Sequence, residues 1–517
     1  MTRNGSRRWW ALGAMSLAIL AISLDATVLN LALPTLAGTL SASEAQLQWF
    51  VTAYTLALAA GMLPAGLLGD RTGRRRVAVV ALAVFAAGSL ACALAPTPEA
   101  FIVARVVLGL AGAAVIVMAL SLITVLFDEA ERPRAIGVWS AANFLALPLG
   151  PIVGGWILSN AWWGWIFLVN VPISLLALIA VAVLVPESRS ERRPAIDLAG
   201  VVLSSGGLVA VMYGIVEAGE NGWSSAGALV PLVVGLAVLV AFWWWERRLA
   251  AAGREPLVDP ALFASPSFTW GVVLTAFGAL ALFGILFALP QYLEAIAGLD
   301  AQAAGIRLLP LIGGLVVGAL PSDRVAARFG SKLAVAAGFA ICGAGLAVGS
   351  RTSVASGDVF LAAWTFVAAA GAGIAFATAA SAALVELSPE RSGVGAAVLQ
   401  TVVKLGPAFG ASILGSVLDA AYRAGVDVAG LTAAATTAVR QSVFGGIAVA
   451  RQFDSATLLA SVRGSFVAAM GGAVLVGAVV AVAGAVLALM FLPAHRAAVE
   501  PTGDRTQPAG AGTALGR

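Results

Sequence analysis

The residues of this chain that could carry chemistry are a few charged side chains inside long apolar runs. Asp25 lies in SLDATVLNLALP, where a carboxylate at bilayer depth costs on the order of 2.5–3.5 kcal/mol on insertion scales. A medium of low dielectric favours the neutral acid, so such a group can bind and release a proton near neutral pH. We predict that Asp25 is a proton site or the countercharge of a cationic substrate. The alternative is a structural carboxylate hydrogen-bonded inside the helix bundle, for example to Thr27.

Three basic residues also lie within apolar runs. Arg105 occurs in FIVARVVLGLAGAA, where a guanidinium facing a cavity could control the protonation of a nearby carboxylate. Arg307 and Lys404 lie in later runs, where we expect no acidic residue at comparable depth. They leave room for neutral or acidic substrates, and Lys404 could contact an anionic group. For Arg105 and Lys404 the alternative is a side chain that snorkels to the membrane interface.

The elements that must position these residues are membrane helices. The chain has 517 residues, of which 60% are apolar and 11% charged, whereas about 25% of the residues of a soluble protein are charged. A spanning helix needs about 20 mostly apolar residues. We therefore predict an all-α polytopic membrane protein with about fourteen spans. The spans cover residues 10–31, 47–68, 77–95, 101–122, 136–158, 165–185, 198–217, 227–245, 268–289, 303–321, 333–350, 359–384, 393–418 and 467–492.

The loops predict the orientation of the chain. Arginine-rich short loops alternate with base-poor ones, so the positive-inside rule puts both termini in the cytoplasm. Because the bases crowd into these loops, the net charge of +4 does not indicate a nucleic-acid partner. The long connection at 420–465 is predicted to lie outside, where its Ala/Val-rich middle could form an amphipathic interfacial helix. The tail at 496–517, rich in Gly, Pro and Thr, is predicted to be disordered.

Two sequence features recur at almost the same offset. A Gly-Pro-x-x-Gly motif occurs in the fifth and thirteenth spans (406 − 150 = 256), and a basic turn at Gly73 recurs at Gly330 (330 − 73 = 257). The repeat predicts two six-helix bundles, with two inserted helices between them and a substrate site near the midplane. The predicted divisions are 1–190 for the first bundle, 191–260 for the insert and linker, 261–495 for the second bundle and 496–517 for the tail.

The Gly-Pro motif is predicted to form a glycine seam that controls leakage and rocking. Proline removes a backbone donor, and glycines let helices approach closely. The alternative is a passive kink. The residues of the predicted seam are Gly150, Pro151, Gly154, Gly155, Gly406, Pro407 and Gly410.

The charged turn GLLGDRTGRRR, residues 66–76, holds one aspartate and four arginines between two spans. Its bases anchor the cytoplasmic side. The aspartate could cap a helix or pair with Arg74, so we predict a conformational latch between helices. The predicted latch residues are Gly66, Asp70, Arg71, Gly73, Arg74 and Arg75.

Motifs of enzymes are missing from the sequence. It contains no GxxxxGK[ST], GxSxG or HExxH, only two cysteines, and one histidine. We therefore expect neither an enzyme nor a metal or cofactor site.

Taken together, the motifs resemble the major facilitator superfamily, in particular its fourteen-span drug:proton antiporter branch. GLLGDRTGRRR resembles the motif between spans two and three, and LDATVLNLALP the span-one motif with Asp25 and Asn30. ARVVLGLAGAA resembles the span-four motif, whose arginine falls on Arg105, and LGPIVGG resembles the antiporter motif of span five. WGWIFLVNVPI resembles the next segment, although Gly164 replaces its usual arginine.

The resemblance implies a proton-driven exporter. Asp25 would be the protonation or substrate-charge site, Arg105 the proton-coupling residue, and Asn30, Arg307 and Lys404 further candidates for substrate or proton contact. Expected partners are the lipid bilayer, protons and a small lipophilic drug or antibiotic, with a monomer in the cytoplasmic membrane and no cofactor. The alternatives are a proton-coupled uptake symporter for a small metabolite and a non-transporting receptor or scaffold.

Overall fold

In the computed structural model of the chain, residues 2–128, 131–189, 197–385 and 392–493 are described, and most of them are helical. The predicted tail at 496–517 lies outside this set. The helices are α1 Thr2–Thr39, α2 Glu44–Thr72, α3 Arg74–Ala93, α4 Pro98–Leu126, α5 Arg132–Asn160, α6 Trp165–Leu168, α7 Asn170–Leu184, α8 Leu198–Asn221, α9 Ala226–Ala251, α10 Pro266–Gln291, α11 Ala301–Arg307, α12 Leu309–Ala319, α13 Ser322–Phe329, α14 Ser331–Gly349, α15 Asp358–Val385, α16 Ser392–Gly425, α17 Ala433–Gln441, α18 Val443–Gln452 and α19 Ala456–Phe491.

Helices cover all fourteen predicted spans. Within the described residues, ten helical segments are long and apolar enough to cross a membrane, and the pair Ala303–Ala319 and Ser322–Phe329, bent by 41°, makes an eleventh. The three other predicted spans fall on α5, α10 and α16. The all-α polytopic fold is therefore confirmed.

The connection at 420–465 contains the helix that we expected in its middle, and it is more helical than that. α16 continues to Gly425, α17 and α18 follow, and α19 begins at Ala456, which is 11 residues before the predicted start (467 − 456 = 11). Short polar residues explain the extra helices, because Thr432, Ser442 and Ser455 each accept a backbone hydrogen bond at a helix N-terminus. The apolar pattern alone missed these caps.

Helix packing repeats between the two parts of the chain. In the first part α1 packs on α5 and α7, α4 on α2 and α3, and α3 on α7. In the second part α10 packs on α16 and α19, α15 on α12 and α14, and α14 on α19. The internal sequence repeat thus corresponds to one packing pattern used twice. One large apolar core is built mainly from α1 to α7 and another mainly from α10 to α19.

The inserted pair α8 and α9 packs mainly on itself. α8 also contacts α2 and α16, where Met212 joins a small apolar cluster with Leu56, Ala59 and Leu405. α9 turns much of its apolar surface outward, since Val233 and Val240 are 63% and 68% exposed. An outward apolar surface of this kind suits contact with lipid.

Glycine residues allow two helix breaks and one close helix contact that position the charged residues. Gly73 and Gly330, the matching residues of the repeat, have φ of +118° and +84°, which few other residues tolerate, and they separate α2 from α3 and α13 from α14. Gly109 lets α4 approach α2, because a Cβ atom there would lie 2.4 Å from the carbonyl oxygen of Tyr54. This close approach brings Arg105, one turn earlier on α4, against α2.

Candidate functional site

Asp25 and Arg105 form an ion pair inside the first bundle. Arg105 Nη1 donates to Asp25 Oδ2, and the two side chains are 1% exposed or less. Arg105 Nε also donates to the carbonyl of Phe50 at 2.9 Å, and its guanidinium lies 4.2 Å from the ring centre of Tyr54. Asn170 Nδ2 donates to Asp25 Oδ1 at 3.3 Å. Helices α1, α2, α4 and α7 therefore converge on one carboxylate.

This geometry decides two alternatives. Arg105 points into the bundle, so snorkelling to the interface is wrong for this residue. Asp25 is held within the bundle, as the structural alternative supposed, but its partners are Arg105 and Asn170. Thr27 instead donates to the carbonyls of Ser23, Leu24 and Ala146, at 3.2, 3.0 and 3.2 Å. Whether Asp25 also exchanges a proton stays a prediction.

Asn170 is a site residue that the sequence analysis missed. It lies within WGWIFLVNVPI, and an amide inside so apolar a run was a signal of the same kind as Asp25. Its Oδ1 atom is buried and has no hydrogen-bond partner among the described residues. Ser174, one turn later on α7, also has a buried hydroxyl without a partner there. Unused hydrogen-bonding capacity thus lies next to the ion pair.

Arg307 occupies a different environment from the predicted one. Its Nη2 lies 2.6 Å from Oδ2 of Asp358, and the two side chains are 35% and 63% exposed. The expectation of no acid at comparable depth is wrong for Arg307, because Asp358, the first residue of α15, lies opposite the last residue of α11. The pair lines a cavity of about 270 Å³ together with Leu293 and Leu361. Arg307 therefore does not join the Asp25 cluster.

Two further candidates lie on helices outside the ion-pair cluster. Lys404 lies on α16, is partly buried and has no ion pair or hydrogen bond with any residue in the described ranges. Asn30 lies on α1, but its side chain falls outside the described part of the structure. The role of Asn30 stays a prediction.

The charged turn connects the two parts of the chain. Asp70 Oδ1 accepts from Arg74 Nη2 at 2.6 Å and from the backbone N–H of Gly393 at 3.0 Å, while Oδ2 accepts from the N–H of Val394 at 3.0 Å. The carboxylate therefore caps the start of α16, where backbone N–H groups and the helix dipole favour a negative charge. Asp70 and Arg74 are 1–2% exposed.

The neighbours of Asp70 support the same contact. A Cβ atom on Gly66 would lie 2.8 Å from Cβ of Ala397 and 2.8 Å from the carbonyl oxygen of Gly393, so a glycine lets α2 cross α16 closely. At the same end of the molecule, Arg132 Nη1 donates to the carbonyl of Leu384 at 3.0 Å. These contacts hold the two bundles together there.

The arginines of the turn contact Glu187, which sequence reasoning missed. The N–H of Arg75 donates to Glu187 Oε1 at 3.1 Å, and the side chains of Arg75 and Arg76 lie 3.7 and 3.8 Å from Oε2. Gly73 faces the same carboxylate. Arg71, partly exposed, follows Asp70 at the end of α2. The turn is therefore fixed both to α16 and to the segment that follows α7.

The glycine seam lies inside each bundle. A Cβ atom on Gly150 would lie 2.2 Å from Thr27 Oγ1, and one on Gly154 would lie 2.8 Å from Val28, so α5 packs tightly on α1. In the second bundle, a Cβ atom on Gly406 would lie 2.7 Å from Ala279 of α10.

The remaining residues of the predicted seam show no comparably close helix contact. A Cβ atom on Gly155 would meet only Leu31, at 3.8 Å, and Gly410 is buried. α5 and α16 run through Pro151 and Pro407 without a break, and whether these prolines form a working seam or a passive kink stays a prediction. The side chains of both prolines lie outside the described part of the structure.

Comparisons with known proteins agree on one family. The sequence matches the profile of the Major Facilitator Superfamily over residues 15–411. It is 33% identical to the multidrug efflux pump LfrA of Mycolicibacterium smegmatis, over 94% of this chain and 96% of that protein. It is 32% identical to the tetracenomycin C resistance and export protein of Streptomyces glaucescens (79% and 76%) and 33% identical to the puromycin resistance protein pur8 of Streptomyces alboniger (83% and 86%).

Solved structures share the fold. The human organic anion transporter MFSD10 superposes with a TM-score of 0.59 at 14% identity, covering 92% of this chain and 99% of that one. The proton:xylose symporter XylE gives a TM-score of 0.59 at 14% identity, covering 95% and 97%. At this level of identity the likeness concerns the fold.

The seam can be tested with two alanines in one motif. Gly150→Ala should destabilise the fold by about 1–3 kcal/mol, because the new methyl group overlaps Thr27. Gly155→Ala is the control and should leave stability unchanged or raise it by up to about 1 kcal/mol, since alanine favours a helix. Tryptophan fluorescence during thermal unfolding in detergent measures both. Equal melting temperatures for the two variants would contradict the packing described for the seam.

The charged turn can be tested through Ser140, a buried residue of α5 two turns into the helix from Arg132. In a Ser140→Cys background, Asp70→Asn should raise the labelling rate by a membrane-impermeant maleimide about tenfold, which corresponds to about 1.4 kcal/mol. Asp70→Asn removes the charge that caps α16 and so favours separation of the two bundles at the end that holds the charged turn. Arg76→Gln is the control, because Arg76 is 71% exposed. A rate that Asp70→Asn leaves unchanged would rule out the latch.

Proposed function

The chain belongs to the major facilitator superfamily, and on that premise we propose that it is a proton-coupled exporter of lipophilic drugs or antibiotics across the cytoplasmic membrane. The single observation that carries the proton-coupling part is the buried pair of Asp25 and Arg105. The export part is supported by relatives that are named as multidrug efflux, resistance and export proteins.

The proton step follows from the electrostatics of the pair. Protonation of Asp25 removes the negative charge that holds Arg105, so the guanidinium needs another acceptor. Asn170 donates to the same carboxylate, and its Oδ1, buried and without a partner among the described residues, can accept. Protonation thus exchanges one set of hydrogen bonds for another. A proton that enters from outside biases α1 and α4 toward a second arrangement.

The charged turn links the second arrangement of α1 and α4 to separation of the two bundles. With Asp70 capping α16, the two bundles are joined at the predicted cytoplasmic end. Breaking this cap lets the bundles separate at the cytoplasmic end and admit a substrate from within. Gly150 packs on Thr27, two residues from Asp25, so movement of α1 reaches α5 directly.

The remaining assignments belong to the same proposal. Both termini lie in the cytoplasm, the divisions fall at 1–190, 191–260, 261–495 and 496–517, and the protein acts as a monomer in the bilayer without a cofactor. The alternating basic loops support the orientation. Proton-coupled uptake would use the same fold, and the export named for the relatives favours the outward direction.

Transport by Asp25 variants tests the proposal. Expression in an efflux-deficient bacterial host should raise resistance to at least one of ethidium, puromycin and tetracenomycin C, and inverted vesicles should accumulate that compound when a proton gradient is applied. Asp25→Asn should lower gradient-driven accumulation to the level of empty vesicles, because the amide cannot exchange a proton.

Two controls separate coupling from folding. Asp25→Asn leaves Arg105 buried without a countercharge, which costs about 3–5 kcal/mol, so the double variant with Arg105→Gln should recover folded yield but not transport. Asp358→Asn removes an exposed carboxylate elsewhere and should retain proton dependence. Gradient-driven transport that survives in the Asp25→Asn variant would refute the assignment of the proton to this residue.

A further inference from the structure

Lys404 differs from the other charged residues discussed because nothing in the described ranges neutralises it. Asp25 is paired with Arg105, Asp70 with Arg74 and Arg307 with Asp358. Lys404 has no ion pair or hydrogen bond within those ranges, although it is partly buried in the middle of a 34-residue helix. A lysine in this position needs either water or an anionic partner.

The position of Lys404 on α16 directs it toward the first bundle. Ala397 and Gly393 contact α2 at Gly66, and Lys404 follows Ala397 by seven residues, or nearly two turns. Residues at this spacing share a helix face, so Lys404 lies on the face turned to α2, about 10 Å further from the charged turn. The next residue, Leu405, packs beside α2 and α8.

Snorkelling does not account for this lysine. Twelve residues separate it from the first residue of α16 (404 − 392 = 12), a rise of about 18 Å, which is longer than a lysine side chain. The other end of the helix, Gly425, is farther still. The ammonium group therefore stays at depth, between the two bundles.

Two polar residues lie one turn before Lys404 on the same face. Gln400 and Thr401 are 2% and 7% exposed, and Thr401 Oγ1 is buried with no hydrogen-bond partner among the residues described. The amide of Gln400 and the hydroxyl of Thr401 lie four and three residues before the ammonium group of Lys404. Side chains at these spacings share one surface of a helix. We call Gln400, Thr401 and Lys404 the α16 donor patch.

We infer that the α16 donor patch binds an anionic oxygen of the transported compound, so that the exporter favours lipophilic acids over neutral or cationic analogues. The inference rests on the proposed function, because it names the substrate class of that transporter. Charge balance supports it. The carboxylate that would attract a cation, Asp25, is already neutralised by Arg105, which leaves the positive charge of Lys404 facing the space between the bundles. A carboxylate or phenolate supplies the missing countercharge and accepts from the amide and hydroxyl.

Three probes that differ only in the charge of one end group test the substrate class. They are 1-pyrenebutyrate, 1-pyrenebutanol and 1-pyrenebutylammonium, titrated against the full chain in lipid nanodiscs and followed by fluorescence anisotropy. The butyrate should bind at least about tenfold more tightly than the alcohol, with the ammonium compound weakest. Lys404→Gln should abolish this preference, and Lys404→Arg should retain most of it.

Arg440→Gln provides the matched control, because it removes one positive charge from exposed α17 outside the membrane helices. It should leave the order of affinities unchanged. Equal affinity of the wild-type protein for the three probes, binding of none of them, or a preference for the acid that survives Lys404→Gln overturns the inference. The proposed function is tested separately. Proton-driven transport of a neutral or cationic drug that depends on Asp25 would support that function even if Lys404 had no role.

Discussion

The buried ion pair between Asp25 and Arg105 is the interaction on which the rest of the molecule depends. Removing one member of a buried pair costs about 3–5 kcal/mol because the other charge is left uncompensated, and a proton on the acid leaves the guanidinium in the same situation. The residues around the pair can accommodate the guanidinium after its countercharge is lost. Tyr54 and the Phe50 carbonyl hold Arg105 from α2, and Asn170 of α7 offers an acceptor oxygen that has no partner among the described residues. In the proposed mechanism, a single proton would therefore alter the packing of four helices.

Close helix contacts allow a local change to reach the far end of the molecule. Gly150 holds α5 against the helix that carries Asp25, and Gly66 lets α2 cross α16 where Asp70 caps it. Tight backbone packing favours two discrete arrangements over continuous deformation. The charged turn stabilises one arrangement, in which the bundles meet at its own end.

Local patterns predicted much of the fold. Apolar length predicted fourteen spans that helices all cover, and the offset between Gly73 and Gly330 revealed a repeat that the packing reproduces. Contacts between distant segments were harder to predict, because one sequence does not say which faces meet. Asp70 was identified as a possible helix cap, but the helix that it caps is α16, whose N–H donor at Gly393 lies 323 residues later in the chain.

Polar partners that lie outside recognisable charge patterns were missed for a related reason. Asn170 is one amide in an apolar run, and Glu187 lies in the loop just after a predicted span. Asp358 lies just before the predicted span at 359–384, and the structure places it at the start of α15, paired with Arg307. In each case the residue type was visible in the sequence, while its role depended on a neighbour brought close only by the fold.

The central claim, that Asp25 changes its protonation state as the protein works, can be measured by infrared difference spectroscopy in lipid. Spectra of the wild-type protein in alkaline and acidic buffer should differ by a protonated-carboxyl band that is missing in Asp25→Asn, and addition of a transported drug should change the intensity of that band. The same carboxyl difference spectrum in the wild type and in Asp25→Asn would contradict the account.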